Sequence, residues 1–102
     1  MPKVSQLRMY TIQEGSMNEW IKGWSEGVVP LRRKHGFRID GAWVAKDKNM
    51  FVWILSYDGP GNWKEKNDAY YDSADRKALQ PDPARLIVKI EEMFLSPVPL
   101  KH

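Results

Sequence analysis

The sequence has 102 residues and a formal net charge of +3, with 16 basic and 13 acidic side chains. This length suits a single domain, which we place over residues 1–102, and the mixing of charges argues against a nucleic-acid partner. The chain has no cysteine, which excludes disulfides and thiolate metal sites, and no apolar run as long as a membrane span or a secretory signal requires. We therefore expect a soluble, cytoplasmic protein that binds neither nucleic acid nor membrane.

The first part of the chain predicts a strand followed by a long helix. Polar and apolar residues alternate over residues 6–13, which is typical of a strand with both faces partly buried. Ser16 and Glu19 have the spacing of a capping box, in which each side chain satisfies a backbone N–H at the start of a helix. Pro30 predicts a kink in this helix and Gly36 its end, and the basic residues just before the glycine suit the negative end of the helix dipole.

The second part predicts a hairpin, a shorter helix and a last strand. Residues 37–45 and 50–57 are rich in β-branched and aromatic residues, and the four polar residues between them predict a turn. Asn62 repeats the capping signature before a helix that we expect to break near Ser73. Alternation returns over residues 88–95 and predicts the fourth strand.

This order of elements, βαββαβ, predicts an α+β ferredoxin-like fold with a four-stranded antiparallel sheet. Helices then cover only one face of the sheet, and the large apolar side chains on the other face need a partner. The sequence also has five Trp, four Tyr and three Phe, which is much aromatic surface for so short a chain. We therefore predict a homodimer with two-fold symmetry, in which the two sheets face each other.

Several fold-supporting positions carry a family resemblance. They are Leu7-Arg8-x-Tyr10-Thr11, Gly15, Trp24…Pro30-Leu31…His35-Gly36 and Trp53…Tyr57. Together they resemble the NIPSNAP family of the dimeric α/β-barrel superfamily, over nearly the whole chain. The resemblance implies two ferredoxin-like sheets packed as a barrel, with a pocket between sheet and helices in each monomer. It also implies relatives that are cofactor-free monooxygenases, haem-degrading enzymes, polyketide cyclases or lactone isomerases, beside many NIPSNAP members without known activity.

Two residues are candidates for catalysis. His35 is the internal side chain whose ordinary pKa lies near neutrality, so it could act as a general base, although a histidine at a helix end also fits a purely structural role. Arg8 lies in the middle of the first strand, on the face of Tyr10. A buried guanidinium there requires an acceptor, which could be a neighbouring carboxylate or the oxygen of an anionic or phenolic ligand.

Aromatic residues with polar tips are candidates for the pocket wall, although they also fit a plain core. They are Tyr10, Trp53, Tyr57, Tyr70 and Tyr71. No cluster of carboxylates and histidines has ligand spacing, so we predict no metal. The resemblance adds that haem-degrading relatives use an Asn in the first strand and a His in the second helical region. This chain has Arg8 near the first position and no histidine between residues 36 and 101, so we expect no haem and no other cofactor.

Three functions are compatible with the sequence. The first is a homodimeric enzyme, a cofactor-free oxygenase, cyclase or isomerase, that acts on a small aromatic or apolar ligand. The second is a NIPSNAP-like protein that binds a ligand or partner without turnover. The third is an RNA-recognition sheet, because that module shares the βαββαβ order, but residues 50–53 lack the basic and glycine positions that accompany its aromatic residues. The identity of the ligand and the existence of catalysis stay open at this point.

Overall fold

The structure is a computed structural model that describes residues 3–100. Its strands are β1 (Val4–Ile12), β2 (Arg38–Ala45), β3 (Met50–Tyr57) and β4 (Ile87–Leu95). Its helices are α1 (Met17–Gly23), α2 (Val29–Lys34), α3 (Trp63–Asp72) and α4 (Ala74–Lys77). A π-helical turn lies between α1 and α2, and 3₁₀-helical turns lie between β2 and β3 and directly before β4. The strands form one antiparallel sheet in the order β2-β3-β1-β4, which confirms the predicted α+β ferredoxin-like fold.

The first helical region differs from the prediction at its start. The side chain of Ser16 makes no capping hydrogen bond, so the predicted capping box is wrong. The Glu19 carboxylate instead accepts a hydrogen bond from Arg85, in the turn that leads into β4. A long-range ion pair has replaced the local bond that the spacing suggested.

The irregularity in this region lies one turn before Pro30. Proline has no N–H to donate to the carbonyl of Glu26, four residues earlier. The preceding turn, Trp24–Val28, is π-helical, and the N–H of Val29 donates to the carbonyl of Trp24, five residues back. The π-helical turn shifts the bonding pattern by one residue, and α2 then continues the same helical region.

The end of α2 matches the prediction at Gly36. This glycine has φ of +89°, which an L side chain rarely adopts. The N–H of Gly36 donates to the carbonyl of Arg33 at 3.0 Å, and the N–H of Phe37 donates to that of Arg32 at 2.9 Å. This pair of bonds is a Schellman motif. It fixes the backbone of Arg32 immediately before the chain enters β2.

The second half of the chain follows the predicted pattern. The Asn62 side chain accepts from the N–H of Glu65 at 2.9 Å and caps α3. Ser73 has an extended backbone that ends α3, and its hydroxyl oxygen accepts from the N–H of Arg76 at 3.1 Å, at the start of α4. The break predicted near Ser73 is therefore confirmed.

The helices cover one face of the sheet, and the core lies between them. It is dominated by aromatic side chains: Tyr10, Trp20, Phe37, Phe51, Trp53, Tyr57, Trp63 and Tyr70. No helix of the described chain covers the other face, where Trp43 is 56% exposed. The molecule measures 40 × 38 × 19 Å, and its thinnest dimension fits two layers of secondary structure.

Candidate functional site

Arg8 lies in a buried polar cluster on the face of β1 that the helices cover. Its Nη1 donates to the hydroxyl of Tyr10 at 2.8 Å and to that of Tyr71 at 3.3 Å. Its Nε donates to Gln6 Oε1 at 2.8 Å, and its Nη2 lies 3.1 Å from Glu92 Oε2. Residues two apart on β1 share a face, and Glu92 of β4 pairs with Arg8 in register. Burial disfavours the charge of Arg8, but the tyrosine hydroxyls and the Glu92 carboxylate outweigh it and raise its pKa.

Arg32 reaches the same region from α2 and is only 1% exposed. Its Nη1 donates to Asn67 Oδ1 at 2.9 Å, and its guanidinium lies 3.8 Å from the ring centre of Tyr70 and 4.7 Å from that of Phe37. Its Nε has no hydrogen-bond partner, and no carboxylate of residues 3–100 forms an ion pair with it. Because burial penalises the charge, the pKa of Arg32 is lowered.

Sequence reasoning assigned Arg32 to the basic end of a helix and missed its burial. The sequence did contain a signal, because the stripe of residues that faces the sheet along this helical region recurs every four positions. Its members are Trp20, Trp24, Val28 and Arg32. An arginine on this stripe faces the sheet, whereas its exposed neighbours Arg33 and Lys34 face solvent.

Arg76 of α4 is a third arginine of the site and was also missed. Its Nη2 donates to Asp82 Oδ1 at 2.9 Å, while its Nε has no partner within the described residues. Asp82 and the surrounding tyrosines outweigh the effect of burial and raise the pKa of Arg76. With Arg8, Arg32 and Arg76 opposed only by Glu92 and Asp82, the ion pairs of the described site leave one positive charge uncompensated.

The three tyrosines of the site differ in their acidity. Burial raises the pKa of Tyr10 and that of Tyr70, and the Tyr70 hydroxyl has no hydrogen-bond partner in the described part of the chain. For Tyr71, burial acts in the same direction, but Arg8 and Arg32 outweigh it, so its pKa falls below the ordinary value of 10.0. Tyr71 is 42% exposed although its hydroxyl bonds to Arg8, so it lies between this site and solvent.

We call these six side chains the arginine–tyrosine cluster. Its members are Arg8, Arg32, Arg76, Tyr10, Tyr70 and Tyr71. Five of them, all but Arg8, line a cavity of about 30 Å³ together with Trp20 and Trp53. That volume holds about two water-sized particles. A flat aromatic molecule does not fit into it unless side chains move.

The structure brings together most, but not all, of the site residues predicted from the sequence. Arg8, Tyr10, Trp53, Tyr70 and Tyr71 lie together, with the Arg8 guanidinium 5.7 Å from the Trp53 ring centre.

Two predicted site residues lie outside this cavity. The Tyr57 hydroxyl donates to the carbonyl of Pro60 at 2.6 Å, and its ring packs on Phe37 at 5.2 Å. His35 contacts the cluster through one edge-to-face contact, with its ring 5.6 Å from that of Tyr70. The last turn of α2 directs Arg32 over the sheet, and His35, three residues later, lies at the helix end.

Two further observations limit the kinds of site present. Within residues 3–100, no group of three or more histidine and carboxylate side chains could hold a metal ion. None of the described helices is both long and apolar enough to cross a membrane.

The fold defines a class of small ferredoxin-like proteins, several of which have solved structures. An uncharacterized NIPSNAP domain protein from Burkholderia xenovorans has a TM-score of 0.80 at 20% identity, covering 93% of this chain and 94% of that chain. A NIPSNAP family protein of unknown function from Agrobacterium tumefaciens has a TM-score of 0.83 at 15% identity, with coverages of 97% and 91%. A candidate antibiotic biosynthesis monooxygenase from Nitrosomonas europaea has a TM-score of 0.68 at 9% identity, with coverages of 94% and 90%. At these identities the likeness shows the fold alone.

The family itself is shown by sequence. The NIPSNAP family model matches residues 5–101. The chain therefore belongs to the NIPSNAP family, which confirms the resemblance found in its sequence. No curated protein matches the chain.

Proposed function

We propose that this NIPSNAP-family chain is a homodimer, each subunit of which binds the anionic group of a small ligand at the arginine–tyrosine cluster. The observation that carries this proposal is Arg32, which is 1% exposed and whose guanidinium has no carboxylate partner among the described residues. Burying an unpaired charge costs several kcal/mol. Perturbed ionisable groups concentrate at functional sites, so we assign the Arg32 guanidinium to the binding of a ligand.

The unsatisfied polar atoms of the core support a ligand that accepts hydrogen bonds. Six buried side-chain atoms have no partner within residues 3–100, and all six can donate. They are the Nε1 atoms of Trp20, Trp24 and Trp53, the Nε atoms of Arg32 and Arg76, and the Tyr70 hydroxyl. All of these residues except Trp24 line the cavity of the cluster. A carboxylate has two oxygens and about four acceptor positions, so it suits a cavity lined by donors.

The size of the cavity limits what can enter it. About 30 Å³ accommodates a carboxylate group but not the rest of a larger molecule. Tyr71 is the exposed member of the cluster, so its side chain is the one that must move to admit a ligand. We therefore propose that only the charged group is enclosed.

A second copy of the chain is the proposed cover for the open face of the sheet. Exposed and half-buried apolar side chains occupy that face on all four strands: Leu7, Met9, Trp43, Val52, Ile54, Met93 and Leu95. Four strands of eight or nine residues form a face of roughly 20 × 30 Å, at about 4.8 Å per strand and 3.3 Å per residue. Because side chains add accessible surface to this projected area, the face is comparable to the roughly 800 Å² per partner that a stable interface buries. Two such sheets can pack face to face at about 10 Å, with their inner side chains interdigitated.

Proton transfer on the bound ligand is a second candidate function, and the lowered pKa of Tyr71 favours it. A tyrosine hydroxyl held by an arginine loses its proton more readily than a free one and can serve as a general base. Tyr71 suits this role better than His35, because the Tyr71 hydroxyl bonds to Arg8 whereas His35 contacts only the ring of Tyr70. Such a role would suit the cofactor-free isomerases and cyclases that the resemblance implies.

Isothermal titration with acetate at constant ionic strength tests the binding proposal, with uncharged acetamide as the matched ligand. We expect acetate, and not acetamide, to bind. Arg32→Met should weaken acetate binding at least about tenfold, because it removes the unpaired cation. The matched control is Arg33→Met, which removes the same charge from an exposed neighbouring position. Equal binding of both ligands, or equal effects of the two variants, would overturn the proposal.

A further inference from the structure

Strand β4 exposes apolar side chains next to the arginine–tyrosine cluster. Ile90 is 51% exposed and Phe94 is 61% exposed. Both lie on the face of the sheet that the helices cover elsewhere, because they pair in register with Tyr10 and Gln6. β4 is an edge strand, and the helices leave this part of it uncovered. The proposed dimer would cover only the opposite face.

The exposed apolar strip is continuous with the cluster. Glu92 lies between Ile90 and Phe94 on the same face of β4, and its carboxylate pairs with Arg8. Ile90 lies opposite Tyr10, which lines the cavity, and Phe94 packs edge to face on Trp63 at 5.6 Å. Phe94 follows Ile90 by four residue steps of a strand, so the strip is about 13 Å long.

We propose that the ligand is an amphipathic carboxylate, with its charged group in the cavity and its apolar body along Ile90 and Phe94. This inference rests on the proposed anion site and names the class of its ligand. A cavity of about 30 Å³ encloses only the charged group, so the remainder must lie on the adjoining surface. That surface presents Ile90 and Phe94 on either side of Glu92, whose carboxylate is paired with Arg8, while the enclosed end has an uncompensated positive charge. The two halves of the site therefore match the two halves of such a molecule.

A series of linear carboxylates from acetate to octanoate tests the proposal by isothermal titration. A fully buried methylene strengthens binding about fourfold, and a body that lies on an open strip buries about half of its surface, so we expect about twofold per methylene. Octanoate has six more methylenes than acetate and should then bind about 60-fold more tightly. Octanol has the same body without the charge, and it should bind much more weakly than octanoate.

Variants of β4 locate the apolar contact. Ile90→Ser should reduce the affinity for octanoate about fivefold and leave that for acetate unchanged, because only the longer ligand contacts the strip. Phe94→Ser should act in the same direction and serves as the second variant if Ile90→Ser does not fold. The control is Val98→Ser, which changes an exposed apolar residue of the segment that follows β4 and lies outside the strip.

The outcomes separate this inference from the anion site on which it rests. If acetate fails to bind, the proposed anion site is wrong and the inference fails with it. If acetate binds through Arg32 but affinity does not rise with chain length, the anion site stands and the amphipathic ligand is wrong. Equal losses in Ile90→Ser and Val98→Ser would also overturn the inference, because the strip would then have no specific part in binding.

Discussion

Replacing Arg32 by methionine should leave the fold intact and raise its stability. Most buried arginines cannot be replaced in this way, because removing one partner of an ion pair leaves the other charge buried. Arg32 has no carboxylate partner among the described residues, so its replacement creates no such orphan. Methionine has a similar length and can fill the space between the rings of Phe37 and Tyr70.

The magnitude follows from what Arg32 contacts. The variant loses one charged hydrogen bond, to Asn67, of about 2 kcal/mol, and a cation–π contact with Tyr70 of about 2 kcal/mol. It gains several kcal/mol from the removed desolvation penalty and about 2 kcal/mol from the burial of an apolar side chain. We therefore expect the free energy of unfolding to rise by about 1–3 kcal/mol.

Urea denaturation at neutral pH measures this change as a shift of the midpoint at constant slope. The control is Arg76→Met, which breaks the ion pair with Asp82 and should destabilise the protein by about 1–2 kcal/mol. A loss of more than about 2 kcal/mol in Arg32→Met would refute the reasoning. Arg32 would then be a structural member of the aromatic core, and its burial would no longer indicate a ligand.

Three further predictions follow from the core, the cluster and the open face. Trp20→Ala should lower the free energy of unfolding by about 3–5 kcal/mol in urea melts, because Trp20 is 2% exposed, and a loss below about 1 kcal/mol would contradict this packing. In a spectroscopic titration, one tyrosine should ionise below the ordinary pKa of 10.0, Tyr71→Phe should remove this step, and acetate should move it to higher pH. Because the pKa of Tyr71 is lowered on folding, the ionised tyrosine's contribution to stability is present near pH 10 and is lost as the pH falls through the pKa of the folded state. An unchanged titration in Tyr71→Phe would exclude Tyr71 as the acidic tyrosine. Trp43→Glu should convert a homodimer into a folded monomer in equilibrium sedimentation, and a wild-type chain that sediments as a monomer would contradict the proposed assembly.

The fold was predictable from the sequence because its signals are local. Alternation predicted β1 and β4, and enrichment in β-branched and aromatic residues predicted β2 and β3. The glycine at position 36, the cap at Asn62 and the break near Ser73 act within one helical turn. The capping box at Ser16 failed for the opposite reason. Glu19 pairs with Arg85, which is far away in sequence, and no local pattern announces a partner of that kind.

The candidate site was predictable only in part, for a similar reason. The strand residues Arg8 and Tyr10 were found because alternation assigns them to one face of the sheet. Arg32 was missed because it belongs to a run of basic residues that suits a helix end, although its spacing also puts it on the buried stripe. His35 was favoured for its chemistry alone, and chemistry does not say which side of a helix end faces the cavity.

Anomalous diffraction from crystals soaked in bromide tests the central claim most directly. Bromide is a compact anion that can occupy a cavity lined by donors. The account predicts an anomalous peak inside the arginine–tyrosine cluster, within hydrogen-bond distance of Arg32 Nε and the Tyr70 hydroxyl, and no such peak in crystals of Arg32→Met. Peaks confined to exposed arginines such as Arg33, with none beside Arg32, would contradict it.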